Sequence, residues 1–219
     1  MKLADLPTPC LVIDRQILNR NIRAMAGSLS RHKVPLRPHM KTAKSIDVAR
    51  LVLAGQPGGI TVSTLAEAEY FASHGIRDIL YAVGITPGKL DQVARLNAGG
   101  ANVTVITDDP LAADAIAAHP ANIKALIEID CGEQRGGVLV AEDLISELAA
   151  RLGLSLVGVM THAGHSYPVS YTHLDVYKRQ SERPGIQATR PPGAPWIPDE
   201  AGIAKSPHAH LPVLNANRV

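Results

Sequence analysis

Basic side chains alternate along a short segment near the N-terminus. The pattern of VPLRPHMK (34–41) predicts a strand whose period-two spacing places Arg37, His39 and Lys41 on one face, opposite apolar neighbours. Three basic groups on one face cannot be buried without anionic partners. Lys41 comes last, and a lysine that is desolvated and crowded by cations at a strand end becomes a nucleophilic amine. An exposed basic strand end is the alternative.

A glycine-rich turn follows a second predicted strand. In EIDCGEQRGG (128–137), Glu128 and Asp130 share one face of the strand, and Arg135 lies in the turn after it. Glycines let the backbone turn closely there. An arginine at that place is suited to bind an anionic oxygen or an aromatic ring. The alternative is an ordinary turn with a surface arginine.

A third polar segment, THAGHSY (161–167), carries His162, His165 and Tyr167. Two histidines three residues apart suggest metal ligands, but no third ligand with supporting spacing is present. We therefore predict no metal site from these residues, and a polar loop at a strand end is the alternative interpretation.

The three segments lie in a chain that alternates strands and helices. Short apolar runs separated by helical stripes of about 10–15 residues predict a parallel sheet in an α/β fold. CLVID (10–14) is predicted as an extra first strand, and Thr64 with Glu67 as a capping box that opens a helix to about residue 74. The six strands that follow CLVID are VPLRPHMK (34–41), GITVS (59–63), DILYAV (78–83), NVTVI (102–106), KALIEID (124–130) and LSLVGVMT (around 155–162).

The spacing of these elements favours a (β/α)₈ barrel over a doubly wound sheet. The spacing is regular, and no G-x-G-x-x-G follows the first strand. A full barrel needs eight strands, so we predict a partial barrel over residues 5–168, truncated after about six strands. In such a barrel, chemistry occurs at the carboxyl ends of the strands, where the three polar segments fall.

Composition excludes several classes of protein. The chain has 219 residues, is 46% hydrophobic and carries a net charge of +2, which is not the composition of a disordered chain. Residues 1–169 hold 16 basic and 16 acidic side chains, a balance that argues against nucleic-acid binding. No apolar run of about 18 residues and no secretory signal are seen, so no membrane association is expected. Two cysteines in no C-x-x-C pair are typical of the reducing cytoplasm.

The composition changes near the C-terminus. Residues 1–180 contain 9 prolines, whereas residues 181–219 contain 7. Proline at that density prevents helices and strands from extending. Residues 170–180 onward also resemble translated adapter or assembly-junction sequence. We therefore expect residues 169–219 to be a non-native or disordered tail.

Together the motifs resemble one enzyme family. Taken in order, TPCLVID, RPHMKTAKS, TLAEAE with DILYA, EIDCGEQRGG and THAGHSY look like the N-terminal part of D-serine dehydratase and D-threonine aldolase. These are fold-type III pyridoxal 5'-phosphate enzymes, with an N-terminal barrel like that of alanine racemase. The likeness covers about residues 5–168, and RPHMKTAK is its most specific segment.

The resemblance implies a cofactor and roles for five residues. It implies a lyase that acts on D-β-hydroxy amino acids, with pyridoxal phosphate held by Lys41 as an internal aldimine. Arg135 matches the arginine that lies against the cofactor ring and its phenolic oxygen. His162, His165 and Tyr167 match the loop that lines the cofactor.

Other parts of the family pattern have no counterpart in the sequence. Ala43 stands where the family more often has histidine. The downstream ligands of the family's divalent metal and the β-domain of its homodimer are absent, so an inactive fragment is expected. The small-molecule partner implied is a D-amino acid. Two alternatives stay open, a non-catalytic pyridoxal phosphate homeostasis barrel and a racemase of the alanine racemase type.

Overall fold

The computed structural model describes residues 5–140 and 142–164. His165, Tyr167 and the expected tail at 169–219 lie outside the described residues, and the predicted domain of residues 5–168 ends beyond them. The helices are α1 (Arg15–Arg31), α2 (Ile46–Leu53), α3 (Leu65–Ser73), α4 (Leu90–Ala98), α5 (Pro110–Ala118) and α6 (Leu144–Leu152). The strands are β1 (Ile60–Val62), β2 (Asp78–Gly84), β3 (Asn102–Thr107), β4 (Lys124–Asp130), β5 (Val138–Leu139) and β6 (Leu156–Thr161).

The order of the strands is that of a barrel. All strand pairs are parallel, and β1, β2, β3 and β4 follow one another as neighbours, with β6 on the other edge of β4. A doubly wound sheet would reverse direction at an inner strand. The structure therefore confirms the predicted α/β fold as part of a (β/α)₈ barrel, with strands added in one direction only.

Helices pack on the outer face of this sheet and bury most of the apolar side chains. Ile60, Val62 and Ile79 of the first two strands are fully buried against helix residues such as Ala68 and Phe71. The inner face holds a second, smaller cluster of buried residues, namely Leu80, Ile106 and Met160. The inner face thus has few apolar residues and leaves room for the polar cleft described below.

The local signals for helix ends act as the sequence indicates, with one difference. The Thr64 hydroxyl accepts the N–H of Glu67 at 3.1 Å and caps α3. The Glu67 carboxylate, however, accepts the N–H of Ser63 at 2.8 Å, where a standard capping box would use the N–H of Thr64. Helix α3 is thereby fixed to the end of β1.

Two predicted strands differ from expectation. No strand forms at 10–14, where Leu11 is 90% exposed, because no strand of the described residues lies beside it and a single strand cannot pair its own backbone. The 34–41 segment runs along β1 but forms only one bridge, between His39 and Thr61. Proline residues at two positions of this segment remove ladder donors, so a regular strand cannot extend.

The two-residue strand β5 was not expected. It lies within the glycine-rich turn after β4, where Val138 pairs with Ile129 and Leu139 pairs with Asp130. Ile129 also pairs with Thr161 of β6, so β5 and β6 lie on opposite edges of β4. This short strand fixes the far end of the Arg135 turn.

Candidate active site at the carboxyl ends of the strands

A polar cleft opens on the inner face of the sheet, toward the carboxyl ends of the strands. The side chains that line it come from the 34–41 segment, β1, β4, β6 and the turns after them. Its polar lining residues are Arg37, His39, Lys41, Thr61, Ser63, Glu128, Arg135, Thr161 and His162. Sequence reasoning named all of them except Thr61, Ser63 and Thr161.

Backbone hydrogen bonds to β1 place Lys41 at this cleft. The N–H of Met40 donates to the carbonyl of Thr61, and the N–H of Thr61 donates to the carbonyl of Pro38, both at 2.8 Å. The predicted alternation holds, since Leu36 and Met40 are buried on the outer face, each 2% exposed. Lys41 is half-buried on the inner face.

His39 lies beside Lys41 and is uncharged at neutral pH. Its Nδ1 accepts the backbone N–H of Lys41 at 3.3 Å, and its Nε2 lies 3.3 Å from the Ser63 hydroxyl. Burial of the ring and, secondarily, the positive charge of Lys41 lower the pKa of His39 to about 4. The sequence predicted three cations on this face, but at neutral pH His39 is not one of them.

The anionic partners that burial of these basic groups demands are present. The guanidinium of Arg37 binds Asp78 at 2.6 Å and donates to the carbonyl of Ile60 at 3.1 Å. Both partners begin their strands, so Arg37 extends toward the amino ends of the sheet. Nearer the mouth, the Lys44 ammonium lies 3.2 Å from the buried Glu67 carboxylate.

The turn after β4 brings Arg135 to the same cleft. Within this turn the Asp130 carboxylate accepts the N–H groups of Gly132 at 2.8 Å and Gln134 at 3.1 Å. The guanidinium of Arg135 donates to Nε2 of His162 at 3.1 Å. Two segments that are 27 residues apart in the sequence thus meet across the cleft, as the sequence-based hypothesis requires.

Glu128 is the acidic side chain of the cleft and is 9% exposed. Burial raises its pKa, the neighbouring carboxylate of Asp108 raises it further, and Arg135 opposes both effects. Period-two spacing in β4 indicated that Glu128 and Asp130 share a face. In the structure the two side chains have different surroundings: Asp130 accepts hydrogen bonds from the turn, whereas Glu128 faces the cleft.

Two hydroxyl residues, one in β1 and one directly after it, were missed by sequence reasoning. Thr61 is 3% exposed, and its Oγ1 has no hydrogen-bond partner among the described residues. Ser63 follows two residues later on the same face and contacts His39. The sequence does contain a signal for them, because Thr61 and Ser63 alternate with the apolar residues Ile60 and Val62, and this spacing places both hydroxyls on the face opposite the apolar side chains.

The described residues contain no group of three or more histidine, cysteine, aspartate or glutamate side chains placed to hold a metal ion. No helix within the described part of the chain is both long and apolar enough to cross a membrane.

Comparisons with known proteins identify the family. The model of the family "Alanine racemase, N-terminal domain" matches residues 13–188. The chain belongs to this family. The match covers most of the chain and confirms the resemblance that the motifs indicated.

Several relatives within the alanine racemase N-terminal domain family are named for their reactions. D-threo-3-hydroxyaspartate dehydratase of Delftia sp. (strain HT23) is 40% identical over 90% of this chain and 54% of its own length. 3-Hydroxy-D-aspartate aldolase of Paracoccus denitrificans (strain Pd 1222) is 35% identical over 81% of this chain and 47% of its own. D-threonine aldolase of Arthrobacter sp. is 33% identical over 86% of this chain and 50% of its own length. The chain thus spans about half the length of the curated relatives it matches.

Solved structures of the family show the same fold. The solved structure of D-threo-3-hydroxyaspartate dehydratase from Delftia sp. HT23 is 42% identical, with a TM-score of 0.71, and the match covers 74% of this chain and 45% of its own. Alanine racemase from Bacillus anthracis is 19% identical with a TM-score of 0.61, over 76% of this chain and 44% of its own. That second likeness shows the fold alone.

Proposed function

We propose that the chain is the cofactor-binding part of a pyridoxal phosphate-dependent lyase that acts on a D-β-hydroxy amino acid. Lys41 is the residue that bonds covalently to the cofactor. The observation that carries the proposal is the meeting of Lys41, Arg135 and His162 around one cleft, although they come from three distant segments. The relatives, which are dehydratases and aldolases of D-hydroxy amino acids by name, support the reaction class.

The residues of the cleft fit the cofactor. Pyridoxal phosphate is an anion with an aldehyde and, when bound, it supplies an electron-withdrawing ring. The cleft offers the amine of Lys41 for the aldehyde and the guanidinium of Arg135 for negative charge. The buried hydroxyl of Thr61 has no partner among the described residues, so it is available to a ligand. These features suit the cofactor better than they suit a solvated surface.

In this proposal the side chains of the cleft have different roles. Lys41 presents its amine from the end of the 34–41 segment, and neutral His39 beside it adds no positive charge. Arg135 and His162 hold each other at one wall of the cleft, where the cation is available to an anionic oxygen. Glu128, whose pKa burial raises, faces the same cleft, where a carboxyl group can take part in proton transfer.

The identities of the relatives favour one substrate class. Three relatives named for reactions of a D-3-hydroxyaspartate are 40%, 35% and 37% identical, whereas the D-serine dehydratases of Schizosaccharomyces pombe and Dictyostelium discoideum are 30% and 27% identical. We therefore propose a D-amino acid with a β-hydroxyl and a second carboxylate as the first substrate to test, ahead of D-serine and D-threonine.

The remaining parts of the proposal concern the parent protein, because the chain spans about half of its relatives. A divalent metal on the β-hydroxyl and a homodimer completed by a β-domain belong to that parent. A mutant of a D-threo-3-hydroxyaspartate dehydratase solved in a metal-free form supports the metal. We propose that residues 169–219 are not native to the parent protein and that the 219-residue chain is inactive by itself. Cytoplasmic localisation is likewise proposed.

Competition at Lys41 tests the function. The chain is mixed with pyridoxal phosphate and each amino acid, reduced with borohydride and digested, and the label on the Lys41 peptide is measured. A D-3-hydroxyaspartate isomer is expected to lower that label more than its L-enantiomer does. Lys41→Ala is the negative control. Lys124→Ala is the matched control, because Lys124 is exposed at the amino end of β4. Equal protection by both enantiomers would argue against a D-amino acid lyase.

A further inference from the structure

We propose that His39 is a positioning residue that fixes the backbone at Lys41 through its neutral imidazole. The inference deepens the proposed function and rests on it, because Lys41 is the residue assigned to the cofactor. The ring has one partner on each side, the backbone N–H of Lys41 and the hydroxyl of Ser63. The contact with the Lys41 N–H requires the tautomer in which Nδ1 carries no proton.

The hydrogen bonds determine which nitrogen carries the proton. The Lys41 N–H donates to Nδ1, so Nδ1 has no proton. The neutral ring then carries its proton on Nε2, which donates to the Ser63 hydroxyl oxygen at 3.3 Å. Burial keeps the ring neutral, with the charges of Lys41 and His162 acting in the same direction and that of Glu67 opposing them.

Ser63 is itself held firmly. Its N–H donates to the buried Glu67 carboxylate at 2.8 Å, and the other oxygen of that carboxylate lies 3.2 Å from the Lys44 ammonium. The N–H of Lys44 donates to the carbonyl of Met40 at 2.9 Å. The contacts therefore form a closed ring that joins both ends of the 39–44 loop to the start of α3. Lys41 lies within the loop that these contacts hold, so they restrain its backbone.

Three substitutions of His39 distinguish a positioning role from mere filling of space. His39→Asn keeps an acceptor oxygen near the place of Nδ1, whereas His39→Gln moves the amide toward the place of Nε2. His39→Ala removes both. The matched control is His32→Asn, because His32 is exposed after α1 and does not line the cleft.

The measurement is the rate at which pyridoxal phosphate and borohydride label Lys41 in the full chain. His39→Ala and His39→Gln should label about fivefold more slowly than wild type, the factor that one neutral hydrogen bond is worth. His39→Asn and His32→Asn should stay close to the wild-type rate. A His39→Ala rate equal to wild type, or a His39→Asn rate as slow as that of His39→Ala, would overturn the proposal.

A second readout does not depend on labelling. Nitrogen chemical shifts of histidine-labelled chain should show His39 as the neutral Nε2–H tautomer, still uncharged at the pH where exposed histidines are half protonated. A ring that titrates near the ordinary 6.5, or that carries its proton on Nδ1, contradicts the inference. If wild type labels Lys41 but the His39 variants label equally well, only this inference fails. If wild type labels no lysine selectively, the proposed function fails.

If His39→Ala loses its folded circular dichroism spectrum, Ser63→Ala takes its place, because it removes only the partner of Nε2. Slower labelling of Lys41 in that variant supports the proposal, and an unchanged rate overturns it.

Discussion

Replacing Gly137 with alanine should destabilise the Arg135 turn more than the same change elsewhere in that turn. Gly137 has a φ of +98°, and its N–H donates to Asp108 at 2.7 Å. A Cβ at this position would lie 2.6 Å from the backbone nitrogen of Asp130 and 2.8 Å from the carbonyl carbon of Ile129. Both atoms belong to β4, which cannot move without breaking its pairing on either edge.

The magnitude follows from two separate costs. A non-glycine residue at such a φ costs about 1–3 kcal/mol. A clash with fixed backbone costs about 1–3 kcal/mol more. Gly137→Ala should therefore lower the free energy of unfolding by about 2–6 kcal/mol, a large share of a domain's usual stability. Gly132→Ala is the matched control, since Gly132 has a φ of +119° with nothing within 4 Å of the added Cβ. Gly132→Ala should therefore lower the free energy of unfolding by the backbone cost alone.

Urea denaturation followed by circular dichroism measures both variants. The difference between their unfolding free energies measures the clash of the added Cβ with the β4 backbone, because the effect of alanine on the unfolded chain is common to both variants. Labelling of Lys41 by pyridoxal phosphate should also weaken more in Gly137→Ala, since the displaced turn carries Arg135. Equal unfolding free energies for the two variants would refute the packing described for this turn.

Three further predictions concern ionisation and aggregation. Because burial raises the pKa of Glu128, unfolding free energy should fall as pH rises from about 4.5, and Glu128→Gln should abolish that fall in urea titrations across pH. Because the pKa of His39 is lowered to about 4, stability should fall as pH drops below 6.5, and His39→Asn should remove that part of the acid loss. Val157 and Val159 are 50% and 58% exposed on β6, which pairs only with β4 among the described residues, so the chain should aggregate. A double substitution of these valines by lysine should reduce light scattering, and unchanged scattering would contradict this explanation.

The strands that the sequence predicted best are those paired on both edges. KALIEID coincides with β4, which has β3 on one edge and β6 on the other, so its apolar pattern and its pairing agree. CLVID has the same kind of pattern but no neighbouring strand among the described residues, so pattern alone was not sufficient. The 34–41 segment kept its alternation of faces but lost its ladder to its prolines.

The candidate site was predictable where side-chain type and strand end coincide. Lys41, Arg135 and His162 line one cleft, as expected. Arg37 shares their face but extends toward the amino ends of the strands, where it binds Asp78 and the carbonyl of Ile60. The neutral state of His39 depends on burial by distant elements, which no local pattern shows. His165 and Tyr167 lie outside the described residues, so their roles stay predictions.

The boundary near residue 168 also stays a prediction. The family match runs to residue 188, past that boundary. Comparing the sequence of the parent gene with this chain beyond Pro168 would show at which residue the two sequences diverge.

The most direct test of the central claim is the site of cofactor attachment. The full chain is treated with a limiting amount of pyridoxal phosphate, reduced with borohydride and digested, and every lysine peptide is measured by mass spectrometry. The account predicts that Lys41 carries most of the label and that Lys44, its neighbour with a more exposed ammonium, carries little. Label spread over the lysines according to their exposure, and unchanged in Lys41→Ala, would contradict it.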